Sequence, residues 1–153
     1  MAYTKPMNTI YTIGHSNRTI EQFSELLRAH AIQEVVDVRT VPKSRHNPQF
    51  RQEALATSLE EAGISYTHLA KLGGLRHSRK DSVNTGWQNT SFRGYADYMA
   101  TDEFREGLRE LEEIAERKMV AIMCAEAIPW RCHRSLIADA LVVEGWKVLD
   151  ISS

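Results

Sequence analysis

Long hydrophobic runs are missing from this chain. No apolar stretch approaches the ~20 residues needed to span a bilayer, so no membrane partner is expected. Cysteine is scarce as well. Two cysteines in 153 residues do not make a disulfide framework, and the expected setting is a reducing cytoplasm. The phosphate-cradling patterns GxxxxGK[ST] and GxGxxG are absent, which removes the sequence signatures of P-loop and dinucleotide-binding folds and calls for no cofactor. The first residues carry no signal-peptide hydrophobic segment, and there are no repeats or low-complexity stretches. Net charge is only −1, too little for a general nucleic-acid coat.

What remains is an ordinary globular composition, 42% apolar and 25% charged, long enough for a normal core. A single domain over residues 1–153 is expected. Apolar periodicity divides the chain into alternating strands and helices. Thr9 to Ile13 reads as a first strand, and a helix follows from an N-cap at Thr19 to His30. Glu34 to Val38 reads as a second strand, 40–50 as a proline-bearing loop, and Arg51 to Ala62 as a helix stopped by Gly63. Ile64 to Leu69 is a third strand. A long stretch without periodicity, Lys71 to Ser91, leads to helical pieces at Phe92 to Met99 and Thr101 to Arg117. Met119 to Met123 is a fourth strand, a helix ends near Gly145, and Lys147 to Ile151 is a fifth.

This alternation predicts a three-layer α/β fold, with a mostly parallel central sheet of about five strands and helices on both faces, Rossmann-like in the broad sense. Right-handed crossovers then bring every strand-exit loop to the carboxyl edge, where open α/β sheets bind ligands. The charge pattern agrees. The exit segments 14–19, 39–51, 70–93 and 124–134 hold 12 of the 19 lysines and arginines but only two acids, Asp81 and Glu126. Most other acids sit in apparent helices. Either exposed helices simply favour Glu, or one edge of the sheet is electropositive and collects anions.

The densest chemistry lies in the twelve residues from Met123 to Arg134, which contain both cysteines. Pro129 suits a first helical turn, which would put Arg131 and Arg134 at a helix start that disfavours cations and attracts anions. Cys124 ends a strand beside that helix start, where backbone N–H groups and arginines would favour thiolate. Cys124 is thus a nucleophile, a redox centre or a structural thiol. Cys132 heads a helical row with Leu136 and Ala140 and reads as a packed small hydrophobe. His133 begins the core-facing stripe with Leu136, Ile137, Ala140 and Leu141. The segment is reminiscent of the thiolate–arginine anion cradles of cysteine phosphatases and rhodaneses, but six residues separate Cys124 from Arg131 and no glycine intervenes. Cys124, Cys132 and His133 also lack the paired short spacings of structural zinc sites.

Elsewhere, Asp37 and Arg39 either pair across a strand end or serve the rim. Arg45 and His46 are either solvated surface or the movable edge of a site. Gly73-Gly74 reads as a turn needing positive φ. Arg76, His77, Arg79 and Lys80 precede Trp87, Phe92 and Tyr95. That interleaving would suit single-stranded nucleic acid, a possible but not favoured partner, or simple packing.

Taken together, Ile13-Gly14-His15-Ser16, Asp37-Val38-Arg39 with Pro42 and Ser44-Arg45, Leu72-Gly73-Gly74, Tyr95-Ala96 with Tyr98-Met99, and Met123-Cys124-Ala125-Glu126 with Arg131-Cys132-His133-Arg134 resemble the DUF488 family. That family is defined by sequence and named for its unknown function. The resemblance covers nearly the whole chain in order. It implies a compact intracellular α/β domain with a shared polar site, and it supplies no substrate.

The expected function is an enzyme acting on a small anionic or nucleotide-like substrate. Cys124 would be nucleophile or redox centre, and Glu126 or His133 the proton carrier. Glu126 could instead cap a helix or anchor an arginine. Arg39, Arg131 and Arg134 would hold the anion, Arg45 would close over it, and His15, Ser16 and Asp37 would complete the substrate side. The alternatives are a non-catalytic anion, nucleotide or nucleic-acid binding module, and a metal-binding protein using the Cys and His residues.

Overall fold

The computed structural model describes residues 8–74, 90–128 and 132–152, and the side chains of 90–92 are not included. Five strands form one parallel sheet: β1 (Thr9–Gly14), β2 (Glu34–Asp37), β3 (Ser65–His68), β4 (Val120–Cys124) and β5 (Lys147–Ile151). Five helices alternate with them: α1 (Ile20–Ala29), α2 (Gln52–Glu61), α3 (Thr90–Tyr98), α4 (Asp102–Arg117) and α5 (Arg134–Val143). This is the expected three-layer α/β architecture.

Strand order is β3-β2-β4-β1-β5. The central strand β4, Val-Ala-Ile-Met-Cys, is buried along its whole length, as a parallel strand covered on both faces must be. Alternate residues feed two cores. Ala121 and Met123 join Ile13, Val35 and the inner faces of α1 and α2, through Phe23, Leu27, Leu55 and Leu59. Val120, Ile122 and Cys124 join Ile10, Val36 and the inner faces of α3, α4 and α5. Side-chain period along the strand thus decides which layer each residue serves.

Local signals explain the helix ends. Thr19 caps α1 in a reciprocal box, accepting from the Gln22 N–H while the Gln22 side chain accepts from the Thr19 N–H. Thr101 accepts from the Phe104 N–H at the start of α4. Gly63 and Gly145, just beyond α2 and α5, have φ of 77° and 97°, the left-handed geometry glycine tolerates best.

Two expectations need correction. The last helix begins at Arg134, not Pro129. Cys132 and His133 form a bend and turn ahead of it, and His133 is its N-cap residue. Arg134 still occupies the first helical position, but Pro129, Trp130 and Arg131 lie outside the described residues. Gly73 and Gly74 do not serve a positive-φ turn either: Gly73 has a φ of −64°, and neither is left-handed. Close approach explains the pair instead. A Cβ on Gly74 would lie 2.6 Å from Nδ1 of His133, and one on Gly73 would lie 2.7 Å from the Thr40 Cα.

Candidate functional site at the carboxyl edge

Register brings the strand ends level. Gly14 lies opposite Cys124, and Asp37 lies opposite both Met123 and His68. The backbone ladder continues past the strands. The His15 N–H donates to the Cys124 carbonyl, the Ser16 N–H to the Ala125 carbonyl (both 2.9 Å), and the Val38 N–H to the Met123 carbonyl at 3.0 Å. Gly14 permits this, since a Cβ there would run into the backbone of Glu126. β2 and β4 are neighbours whose onward connections leave toward opposite edges of the sheet. That is the switch-point geometry where α/β sheets bind ligands.

Beneath the edge lies an ion pair. Asp37 is fully buried, and Arg39 donates to it from Nε at 2.9 Å, from Nη2 at 2.7 Å and from its backbone N–H at 3.1 Å. The Tyr66 hydroxyl also donates to it, at 2.6 Å. Burial, then the Asp37 charge, pushes the Tyr66 phenol up, so it remains a donor. Of the two readings of Asp37 and Arg39, the strand-end pair is what the geometry contains.

His15 packs flat on Phe50, with ring centroids 4.3 Å apart. Its Nδ1 lies 2.7 Å from the Ser16 carbonyl. A carbonyl only accepts, so Nδ1 carries the proton and Nε2 keeps its lone pair, 3.5 Å from Nη1 of Arg39. Burial is the main cause that pushes His15 down to about 4, with the Arg39 charge adding to it. The ring is therefore neutral at physiological pH.

The second cluster surrounds the cysteines. Arg134 is 0% exposed. Its Nη1 donates to Sγ of Cys124 at 2.8 Å and also to the Glu126 carbonyl; Nη2 bonds the Ala127 carbonyl and the Asp150 carboxylate, each at 3.1 Å. The charge at the helix start is thus balanced from β4 and β5. Arg134 Nε is buried with no partner among the described residues. The Glu126 carboxylate accepts the Ile128 N–H at 3.0 Å, while its backbone carbonyl accepts from Arg134.

The ionisations of Cys132 and Cys124 bear on each other. The neighbouring Cys124 thiol is the largest cause holding Cys132 below the ordinary thiol range, and His133 lowers it further. Burial is the largest cause pushing Cys124 up; the Cys132 charge adds to this and Arg134 opposes it. The first proton leaves the pair easily and the second with difficulty. This differs from the expectation of a readily ionised Cys124, because 1% exposure costs its charged form more than one guanidinium returns. Cys132, expected only to pack, is the more acidic thiol. Its Sγ lies 3.4 Å from Nδ1 of His133. The Nε2 of that ring lies 2.8 Å from the Val38 carbonyl, so the neutral ring carries its proton on Nε2 and turns the Nδ1 lone pair toward the thiol.

At the same edge, residues from three strand exits line an open cleft of about 530 Å³. Residues 15–17, 43–47 and 125–127 line it, bringing His15, Ser16, Arg45 and Glu126 together with Lys43 and His46. Asp37, Arg39, Cys124, His133 and Arg134 are not in that lining. Arg131 and the basic run Arg76 to Lys80 with Trp87 lie outside the described residues. Tyr95 is fully buried and donates to the Leu72 carbonyl at 2.9 Å, so it packs rather than offering a stacking face. Sequence reasoning missed Tyr66 and Asp150, which are lone polar residues on edge strands and carry no local motif. It also missed Lys43, whose signal was its place among the rim cations. Among the described residues, no three His, Cys, Asp or Glu side chains gather to hold a metal ion, and no helix is long and apolar enough to cross a membrane.

The fold is a parallel three-layer α/β architecture whose carboxyl edge gathers two buried cysteines and the buried Arg134. The family model described as domain of unknown function DUF488 matches residues 19–141, and the chain belongs to that family. The match includes the motifs around Asp37, Gly73, Tyr95 and Cys124; Ile13 to Ser16 falls just before it. No curated protein and no solved structure matches the chain.

Proposed function

We propose that this protein is an enzyme that takes a small anionic, nucleotide-like substrate into the carboxyl-edge cavity and acts on it with the cysteine–histidine chemistry beneath. One observation carries the reading. The cavity spans three strand exits and has Lys43, Arg45 and His46 in its lining, against a single acid, Glu126. Cations in a concave site raise the local concentration of anions, and guanidinium adds bidentate geometry. The Glu126 carbonyl, which accepts from Arg134 and lies 3.6 Å from the Cys124 sulfur, joins the wall of this cavity to the thiol. Ser16 and His15 would orient the substrate from β1. The free thiols fit a reducing, cytoplasmic setting.

Thermal-shift titration with inorganic phosphate, pyrophosphate and a nucleoside monophosphate tests this. At least one should stabilise the protein, and Arg45→Ala should weaken that anion about tenfold, the loss of one charge-assisted contact. Arg117→Ala, on the exposed end of α4, should bind like the parent. If Arg45→Ala also binds like the parent, the rim is not the anion site.

A non-catalytic anion-binding module is the second reading. The near-complete burial of Cys124 and the internal engagement of Arg39 and Arg134 favour it. Iodoacetamide separates the two: a native protein in which neither cysteine reacts supports the module.

A further inference from the structure

The basic loop of the rim has an open cleft on each of two sides. We propose that the ligand carries a linear polyphosphate, as in a nucleoside di- or triphosphate, whose chain crosses Lys43-Ser44-Arg45 and is gripped beyond them by Arg51. The inference rests on the rim being an anion site, and it names the class of anion.

The two clefts share residues. The first is the one bounded by the exits of β1 and β4, through His15, Ser16 and Glu126. The second, of about 440 Å³, is lined by Lys43, Ser44, Arg45 and Arg51. Lys43, Ser44 and Arg45 therefore form the ridge between them, and Arg51 lines the second alone. Glu126 is the single acid in either lining, and the second cleft has none. Among the described residues Lys43, Arg45 and Arg51 make no ion pair with a carboxylate. Like charges gathered on one loop repel each other until an anion arrives. One phosphate meets one side of the ridge. Linked phosphates meet both, because the first contact makes the second intramolecular.

The loop is held so as to present these groups. Ser44 is tied through both its oxygens: its hydroxyl accepts the Asn47 N–H at 3.1 Å and its carbonyl accepts Nε of Arg51 at 3.2 Å. The Gln52 N–H reaches back to the Pro42 carbonyl at 3.0 Å, and Pro42 and Pro48 restrict the backbone on either side of the ridge. Arg51 is thus anchored by Nε, while its two terminal nitrogens have no partner among the described residues. That leaves a planar pair of donors for phosphate oxygens. A fixed loop also loses little freedom on binding. Nucleic acid is the less suited polyanion, because the cations of the two clefts gather on one short loop instead of tracking a groove.

The test is isothermal titration calorimetry of the full chain with inorganic phosphate and with tripolyphosphate, in metal-free buffer at fixed ionic strength. Tripolyphosphate should bind the parent at least tenfold more tightly than phosphate. Arg51→Gln should weaken tripolyphosphate about tenfold, the loss of one charge-assisted contact, and leave phosphate unchanged. Arg51→Lys should recover only part of that loss. Unchanged phosphate binding also shows that the loop of the variant is intact. Equal affinity of the parent for the two anions overturns the proposal whether or not the variants fold. So does an Arg51→Gln protein that holds tripolyphosphate as the parent does, or loses both anions alike. Fluorescein-labelled oligothymidine that outbinds tripolyphosphate, and is lost in Arg51→Gln, would assign the loop to nucleic acid instead. Phosphate that binds Arg45→Ala as it binds the parent is a separate failure, that of the rim site itself.

Discussion

Arg39→Met is expected to cost about 3–5 kcal/mol of folding stability, the usual effect of removing one partner from a buried ion pair. Asp37 is fully buried, and its carboxylate accepts from the Arg39 guanidinium and backbone and from Tyr66. The backbone bond and the tyrosine survive the substitution, but the counter-charge does not, and a carboxylate without one is costly inside a protein. The double variant Asp37→Asn with Arg39→Met should cost less than the sum of the single changes, because the stranded charge has gone. Urea denaturation of the four proteins measures this. Were Arg39→Met to lose under about 1 kcal/mol, the lower end of the cost of an unsatisfied buried group, the pair would not be structural. Arg39 would then return to the rim as an anion ligand.

Acid should destabilise the fold through His15 in a defined window. Burial, aided by Arg39, pushes this ring down to about 4 from 6.5. Above 6.5 the ring is neutral folded or unfolded, and it makes stability no more sensitive to pH. Below that value the unfolded chain takes up a proton that the folded chain refuses, so stability falls until pH reaches about 4. The slope approaches ~1.4 kcal/mol per pH unit, for a total of about 3 kcal/mol. The groups facing the ring are Arg39, Asp37, Arg18 and Phe50, and they stay in place when only the ring is replaced. His15→Asn keeps a donor for the Ser16 carbonyl and removes the titration. Its urea midpoint should therefore fall less than the parent's between about pH 6.5 and 4. Parallel curves would mean that His15 takes up its proton in the fold as readily as in the unfolded chain.

Particular residues show how far the sequence could be read. The run ending at Met123 announced a buried strand because a doubly covered strand must be apolar on both sides, and β4 is. Thr19 and Thr101 announced helix starts because capping is local chemistry. His15, Ser16, Arg45 and Glu126 reached one cavity because parallel crossovers put all strand exits on one edge. Strand order was not legible, since apolar pattern does not say which strands adjoin. The start of α5 was misread because proline is permitted in a first turn without requiring one. Gly73 and Gly74 were misread because close approach and positive φ leave the same residue in a sequence. The contact of Arg134 with Cys124 was hidden for a related reason: spacing in the chain does not say which side chains meet when a strand end folds back to a helix start. Burial of Cys124, which reverses the expected ionisation, appears only once three helices cover that face.

The central claim is that the carboxyl-edge cavity receives an anion. Backbone amide NMR with stepwise inorganic phosphate tests it most directly. Saturable shifts are expected at Ser16, Asn17, Arg45 to Asn47 and Ala125 to Ala127, and they should collapse in Arg45→Ala. Phosphate that leaves these amides unmoved, or shifts those near Arg117 as strongly, would contradict the account.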